Sequence, residues 1–70
     1  MTTTITAKLG KKTFRIDIVG RKVSAIDALG TIYLADGVVS DDGCADVVMY
    51  RHGLHPVGRL IVDKDRAYFA

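Results

Sequence analysis

Glutamate, glutamine and asparagine are absent from this chain, and all eight acidic residues are aspartates. Glutamate and glutamine are among the better polar helix formers, whereas aspartate favours caps and turns. Their pattern argues against long helices. Cysteine occurs once, at Cys44, so no disulfide forms within one chain, and a lone thiol fits a reducing compartment better than a secreted setting. No apolar run approaches the ~20 residues needed to span a bilayer. The start, Met1-Thr2-Thr3-Thr4-Ile5, has neither the basic nor the apolar region of a secretory signal. A cytoplasmic protein with no membrane contact is the expectation.

What is present points to a sheet. Valine, isoleucine and threonine together supply 20 of the 70 residues, and these side chains suit a pleated surface. Seventy residues make one domain, and a domain of this size buries only about 60% of the surface its unfolded chain exposes. With no disulfide available, compensation by a partner chain is expected. Apolar residues and glycine make up 38 of 70 positions, a surplus over the usual ~45–50%, and a surplus in a small domain belongs at an interface.

Glycines at 10, 20, 30, 37, 43, 53 and 58 cut the chain into short segments, the spacing of a meander, sandwich or small barrel. Ile5, Ala7 and Leu9 alternate with polar residues, and so do Phe14, Ile16 and Ile18 after Gly10-Lys11. This is the period-2 signature of a half-buried antiparallel pair. Parity then requires Ala7 to oppose Phe14 and Ile5 to oppose Ile16, with Gly10 at the first position of a type II′ turn. Gly20-Arg21 repeats that turn signal, so residues 22–27 return as a third strand. Ser24 and Asp27, followed by Leu29 and Gly30, also allow one helical turn over residues 24–29. Residues 31–35 and 38–40 flank Asp36-Gly37, a hairpin signal, and a short strand over residues 66–69 follows the Asp63-Lys64-Asp65 turn.

Val47-Val48-Met49-Tyr50 and the run from Val57 to Val62 are apolar on both faces, as strands covered on both sides are. Val47 and Met49 point one way and Val48 and Tyr50 the other; Leu60 and Val62 oppose Val57 and Ile61. One face belongs to the core, and the other is left for an interface.

Candidate chemistry is thin. His52 and His55, with Cys44 and Asp46, are zinc-ligand types, but zinc signatures repeat a paired spacing and this chain does not, so no metal is expected. Cys44 as a nucleophile would be opposed by Asp41, Asp42 and Asp46, whose charges raise a thiol pKa. Asp41-Asp42-Gly43 lacks the terminal glutamate of a calcium loop, and Gly10-Lys11-Lys12-Thr13 lacks the first glycine of a phosphate loop. No cofactor and no catalysis are expected.

Residues 1–35 carry a net charge of +4 and residues 36–70 a net charge of −2. Lys8, Lys11, Lys12 and Arg15 cluster at the first hairpin, a feature that can mark nucleic-acid contact. Arg21 and Lys22 sit about 26 Å away along the second strand at ~3.3 Å per residue. Ile32-Tyr33-Leu34-Ala35-Asp36-Gly37 and Met49-Tyr50-Arg51-His52 resemble fragments of the two motifs of the bacterial RNA chaperones of the Sm family. That family places a further β-hairpin between the motifs, where this chain has twelve residues between Gly37 and Tyr50; no RNA-binding residue is carried over.

The sequence therefore predicts an all-β (or β-rich α+β) antiparallel meander or barrel-like sheet of about five to seven strands. The function expected of it is non-enzymatic protein interaction, as a homodimer or on a partner protein, through Val47, Val48, Met49, Tyr50, Val57, Leu60, Ile61 and Val62. Small chains without a catalytic constellation are often accessory proteins of mobile elements, an inhibitor of a host enzyme being one such role. The alternative is a basic barrel that binds nucleic acid through Lys8, Lys11, Lys12 and Arg15.

Overall fold

Alternating apolar side chains need a second layer to cover them, and this chain finds it by curling one sheet onto itself. The computed structural model describes residues 2–51 and 55–70 and contains seven strands: β1 (Thr2–Leu9), β2 (Lys12–Val19), β3 (Lys22–Asp27), β4 (Ile32–Val38), β5 (Cys44–Arg51), β6 (His55–Asp63) and β7 (Arg66–Phe69). They lie in the sheet in sequence order, every ladder antiparallel. The result is a nearly closed, all-β barrel-like sheet.

The β1–β2 register follows the parity argument: Ala7 opposes Phe14 and Ile5 opposes Ile16. Gly10 has φ +61° and Gly20 φ +63°, the left-handed conformation that the first position of a type II′ turn requires and that glycine adopts without a Cβ clash. Lys64 takes the same conformation, φ 59°, in the β6–β7 turn.

Inside the barrel Phe14, Ile16, Tyr33, Met49, Leu60 and Val62 are the largest fully buried side chains. Phe14 is the hub: its ring centroid lies 5.0 Å from Tyr33, edge-on, and 5.2 Å from Phe69. An odd number of antiparallel strands makes the first and last run the same way, and β1 and β7 lie side by side. Among the described residues no ladder joins them. Side chains close the seam instead, with Leu9 and Phe69 meeting over Gly58.

The expected third strand over residues 22–27 is present, and the helical turn also allowed over residues 24–29 is not: Val23 and Ala25 are buried while Ser24 and Ile26 face outward, a period of two that a helix cannot satisfy. Asp36-Gly37 is not a hairpin turn but lies within β4. There the β3–β4 register shifts, with Lys22 opposite Val38 but Ser24 opposite Leu34, so β4 spends the extra residues on a bulge. The Asp36 carboxylate accepts the Val48 N–H at 2.9 Å, replacing a ladder bond where β4 and β5 part. Gly37 lets β4 approach β5, since a Cβ there would sit 3.0 Å from Val47 Cγ1.

That approach makes Gly37→Ala costly. Val47 is buried among core side chains that limit how far it can shift, and overpacking a filled core costs roughly 1–3 kcal/mol. In a denaturant-based double-mutant cycle, Val47→Ala relieves part of the loss in the Gly37→Ala background. The expected coupling is about 1 kcal/mol, and simple additivity would contradict the steric account.

Candidate functional site

The barrel's outer surface is divided by strand. On β1 and β2 the outward residues are Thr4, Thr6, Lys8, Thr13, Arg15 and Asp17, with exposed Val19 at the end of β2, a largely polar face on which Arg15 pairs with Asp17 at 3.3 Å. On β3 to β5 the outward positions include a cluster of apolar residues, Ile26, Ile32, Leu34, Val38, Val48 and Tyr50, among the polar Lys22, Ser24, Asp36 and Asp46. Ile26 opposes Ile32, Ser24 opposes Leu34, and Leu34 opposes Tyr50. Ile32, Leu34 and Val38 are more than half exposed, and Ile26, Val48 and Tyr50 are half-buried. The strip continues across β6 and β7 through the cross-strand pair Ile61 and Tyr68, beside the ion pair of Asp46 and Arg59.

The eight residues expected at the interface divide between inside and outside. Val47, Met49, Leu60 and Val62 are buried in the core and do not reach the surface, because they occupy the positions of β5 and β6 that face the same interior as Phe14 and Ile16. Val57 is the extra residue where β6 bulges, since Met49 opposes Gly58 while Tyr50 opposes Pro56, and it packs against the core. Val48, Tyr50 and Ile61 remain on the outer face. Ile26, Ile32, Leu34 and Val38 were not anticipated there, although Ile32 and Leu34 alternate with Tyr33 and Ala35 in the same two-faced pattern that marked Val47–Tyr50.

The ligand-type side chains are not brought together. Cys44 and His55 lie at opposite ends of the β5–β6 hairpin, Asp46 is held by Arg59, and His52 lies outside the described residues. Among the described residues no group of three or more histidine, cysteine or acidic side chains is placed to hold a metal ion. The Cys44 Sγ lies 3.7 Å from Asp63 Oδ1, and burial, then the charges of Asp42 and Asp63, push its thiol pKa up, away from the thiolate. Asp42 accepts hydrogen bonds from the Ser40 hydroxyl and the Cys44 N–H, which hold its pKa below the usual range.

The basic residues divide as well. Lys8, Lys11 and Lys12 gather at the β1–β2 end, while Arg21 and Lys22 stand at the other end of β2, where Arg21 pairs with Asp41.

At the β1–β2 end Asp27 organises the β3–β4 loop. Its Oδ1 accepts the N–H groups of Leu29 and Thr31, each at 2.9 Å, and its Oδ2 accepts the hydroxyl of buried Tyr33 at 2.8 Å. The Tyr33 bond is the largest of the effects that hold the Asp27 pKa below its ordinary value. Burial, then the Asp27 bond and charge, raises the Tyr33 pKa. The two shifts act at opposite ends of the pH range. A depressed carboxyl contributes stability above its unfolded pKa of about 4 and loses it as pH falls through the folded value. A raised phenol contributes stability below its unfolded pKa of about 10 and loses it as pH rises through the folded value. Denaturation midpoints against pH are expected to fall on the acid side as Asp27 protonates and on the alkaline side, where ionisation of the raised Cys44 thiol begins the fall and that of Tyr33 extends it. Asp27→Asn should flatten part of the acid limb and Tyr33→Phe part of the alkaline limb; unchanged limbs in both variants would refute the assignment.

Compared with known proteins, the chain matches no protein-family model, no curated protein and no solved structure.

Proposed function

We propose that this protein is a non-enzymatic interaction module that docks on another protein chain through the outer face of β3, β4 and β5. The observation that supports the reading is the contiguous run of outward apolar residues Ile26, Ile32, Leu34, Val48 and Tyr50, on a barrel whose core is already filled by other side chains. Scattered exposed apolar residues are ordinary on a soluble surface, but a connected patch rimmed by polar groups is the mark of a docking site. Here the rim is Lys22, Asp36, Arg51 and the Asp46–Arg59 pair. Nucleic-acid binding through Lys8, Lys11, Lys12 and Arg15 has less support. Arg15 is paired with Asp17 and Arg21 with Asp41, and the side chain held out beside Lys11 and Lys12 is the aliphatic Leu29 rather than an aromatic ring that could stack on a base.

Light scattering behind a sizing column, across a concentration series, reads self-association. Affinity capture with the wild type and with Ile32→Thr/Leu34→Thr reads a foreign partner. A monomer at every concentration, with identical captures by both proteins, would overturn the reading.

A further inference from the structure

The β3–β4 loop presents an apolar side chain in an unusual setting. Leu29 is 88% exposed, yet the loop beneath it is tied down. Besides the three bonds to the Asp27 carboxylate, Asp27 N–H bonds Thr31 C=O and Gly30 N–H bonds Asp27 C=O, each at 3.1 Å. Gly30, at φ +85°, lets the chain turn back into β4. A side chain held out on a stiff loop gives up little conformational freedom on binding, which is what an anchor residue needs.

The surroundings of Leu29 are basic. Lys11, Lys12, Thr13, Asp27 and Ala28 line a depression of about 210 Å³ with it. Lys8 stands one residue before the end of β1, and Arg51 ends β5 beside the Tyr33–Asp27 pair. Among the described residues none of Lys8, Lys11, Lys12 and Arg51 forms an ion pair, whereas Arg15, Arg21, Arg59 and Arg66 each pair with an aspartate. The acid at this end, Asp27, is occupied by its own hydrogen bonds. A second copy is a poor occupant, because a two-fold contact here would set these lysines against their equivalents. Ile32, at the start of β4, joins the Leu29 loop to the apolar face, so one partner can cover both.

Resting on the proposed docking face, we infer that the partner is a foreign protein with an acidic surface. Leu29 enters an apolar recess of that surface, and a partner carboxylate enters the depression between Lys11 and Lys12.

The test uses the full chain with a photo-crosslinking benzoylphenylalanine in place of exposed Ala28 and, separately, of Val38 on the outer face, each irradiated in the native cell. The Ala28 site is expected to crosslink a foreign protein at an acid-rich peptide. Binding of that protein, once purified, should fall about 10-fold or more with Leu29→Ser, and similarly with Lys11→Glu/Lys12→Glu. It should weaken with rising salt, and reversing the charge of the partner's crosslinked acids should restore binding to Lys11→Glu/Lys12→Glu. Crosslinks from the Ala28 site to nucleic acid, lipid or a second copy would overturn the inference, as would binding indifferent to the Leu29 and lysine variants. If the Val38 site captures a partner and the Ala28 site does not, the docking face stands and this inference falls. If neither site captures one, both fall.

Discussion

Phe14→Ala is expected to leave the chain without a stable native state at room temperature. Phe14 is 1% exposed and contacts both Tyr33 and Phe69, so it joins β2 to β4 on one side and to β7 across the seam on the other. Removing a buried phenylalanine costs about 3–5 kcal/mol, and a core in a domain of this size supplies about 3–5 kcal/mol in total. The two figures are comparable, which makes this truncation decisive where a larger protein would absorb it. Amide dispersion in a proton–nitrogen NMR spectrum is the direct measurement: a collapsed spectrum is expected. A folded variant with a midpoint near that of the wild type would show that the seam and the rest of the core hold without this ring. Phe14→Leu, which keeps most of the apolar volume, should remain folded.

The second large effect separates stability from binding. Ile32 and Leu34 are more than half exposed, and surface substitutions usually change stability within about ±0.5 kcal/mol. Threonine keeps the β-branching of Ile32 and introduces it at Leu34, and both changes suit a strand. The variant Ile32→Thr/Leu34→Thr should therefore unfold at nearly the wild-type denaturant concentration. Its affinity for the partner should fall about 30-fold, the effect of losing one hot-spot contribution of about 2 kcal/mol. Loss of stability in step with loss of binding would place these side chains in the fold rather than in the interface.

The parts of the fold that were legible in the sequence are those in which one face is polar. In β1 and β2 a one-residue slip would turn an apolar set to water, so the apolar alternation and the two-residue Gly10-Lys11 turn determined the register. In β5 and β6 both faces are apolar, and sequence could not say which set turns inward; the barrel chose Val47, Met49, Leu60 and Val62. The Asp36-Gly37 signal misled because the two residues serve other ends here: Asp36 accepts the Val48 N–H and Gly37 leaves room for Val47, with no positive φ required. From the sequence, Leu29 signalled only the end of the helical turn that was the alternative to a third strand. The informative pattern was Asp27 two residues before it, a side chain able to bond the following backbone N–H groups, but only the position of Tyr33 shows why that carboxylate faces inward. The convergence of Arg51 with Lys11 and Lys12 joins residues forty positions apart in the chain and had no local signal.

The sequential strand order also governs how this protein assembles. Each hydrogen-bonded ladder joins strands that are neighbours in the chain, so the sheet can grow hairpin by hairpin, and proteins rich in such local contacts fold faster than all-β domains dominated by distant pairings. The step that draws remote segments together is the meeting of Leu9 and Phe14 with Phe69, and its entropic cost rises only logarithmically with the length of chain enclosed. Among the described residues circumferential closure is made by side chains rather than by a ladder, and it is expected to follow hairpin formation. Under denaturant the barrel should first part along that line, with the β1–β2 and β6–β7 hairpins separating as intact units.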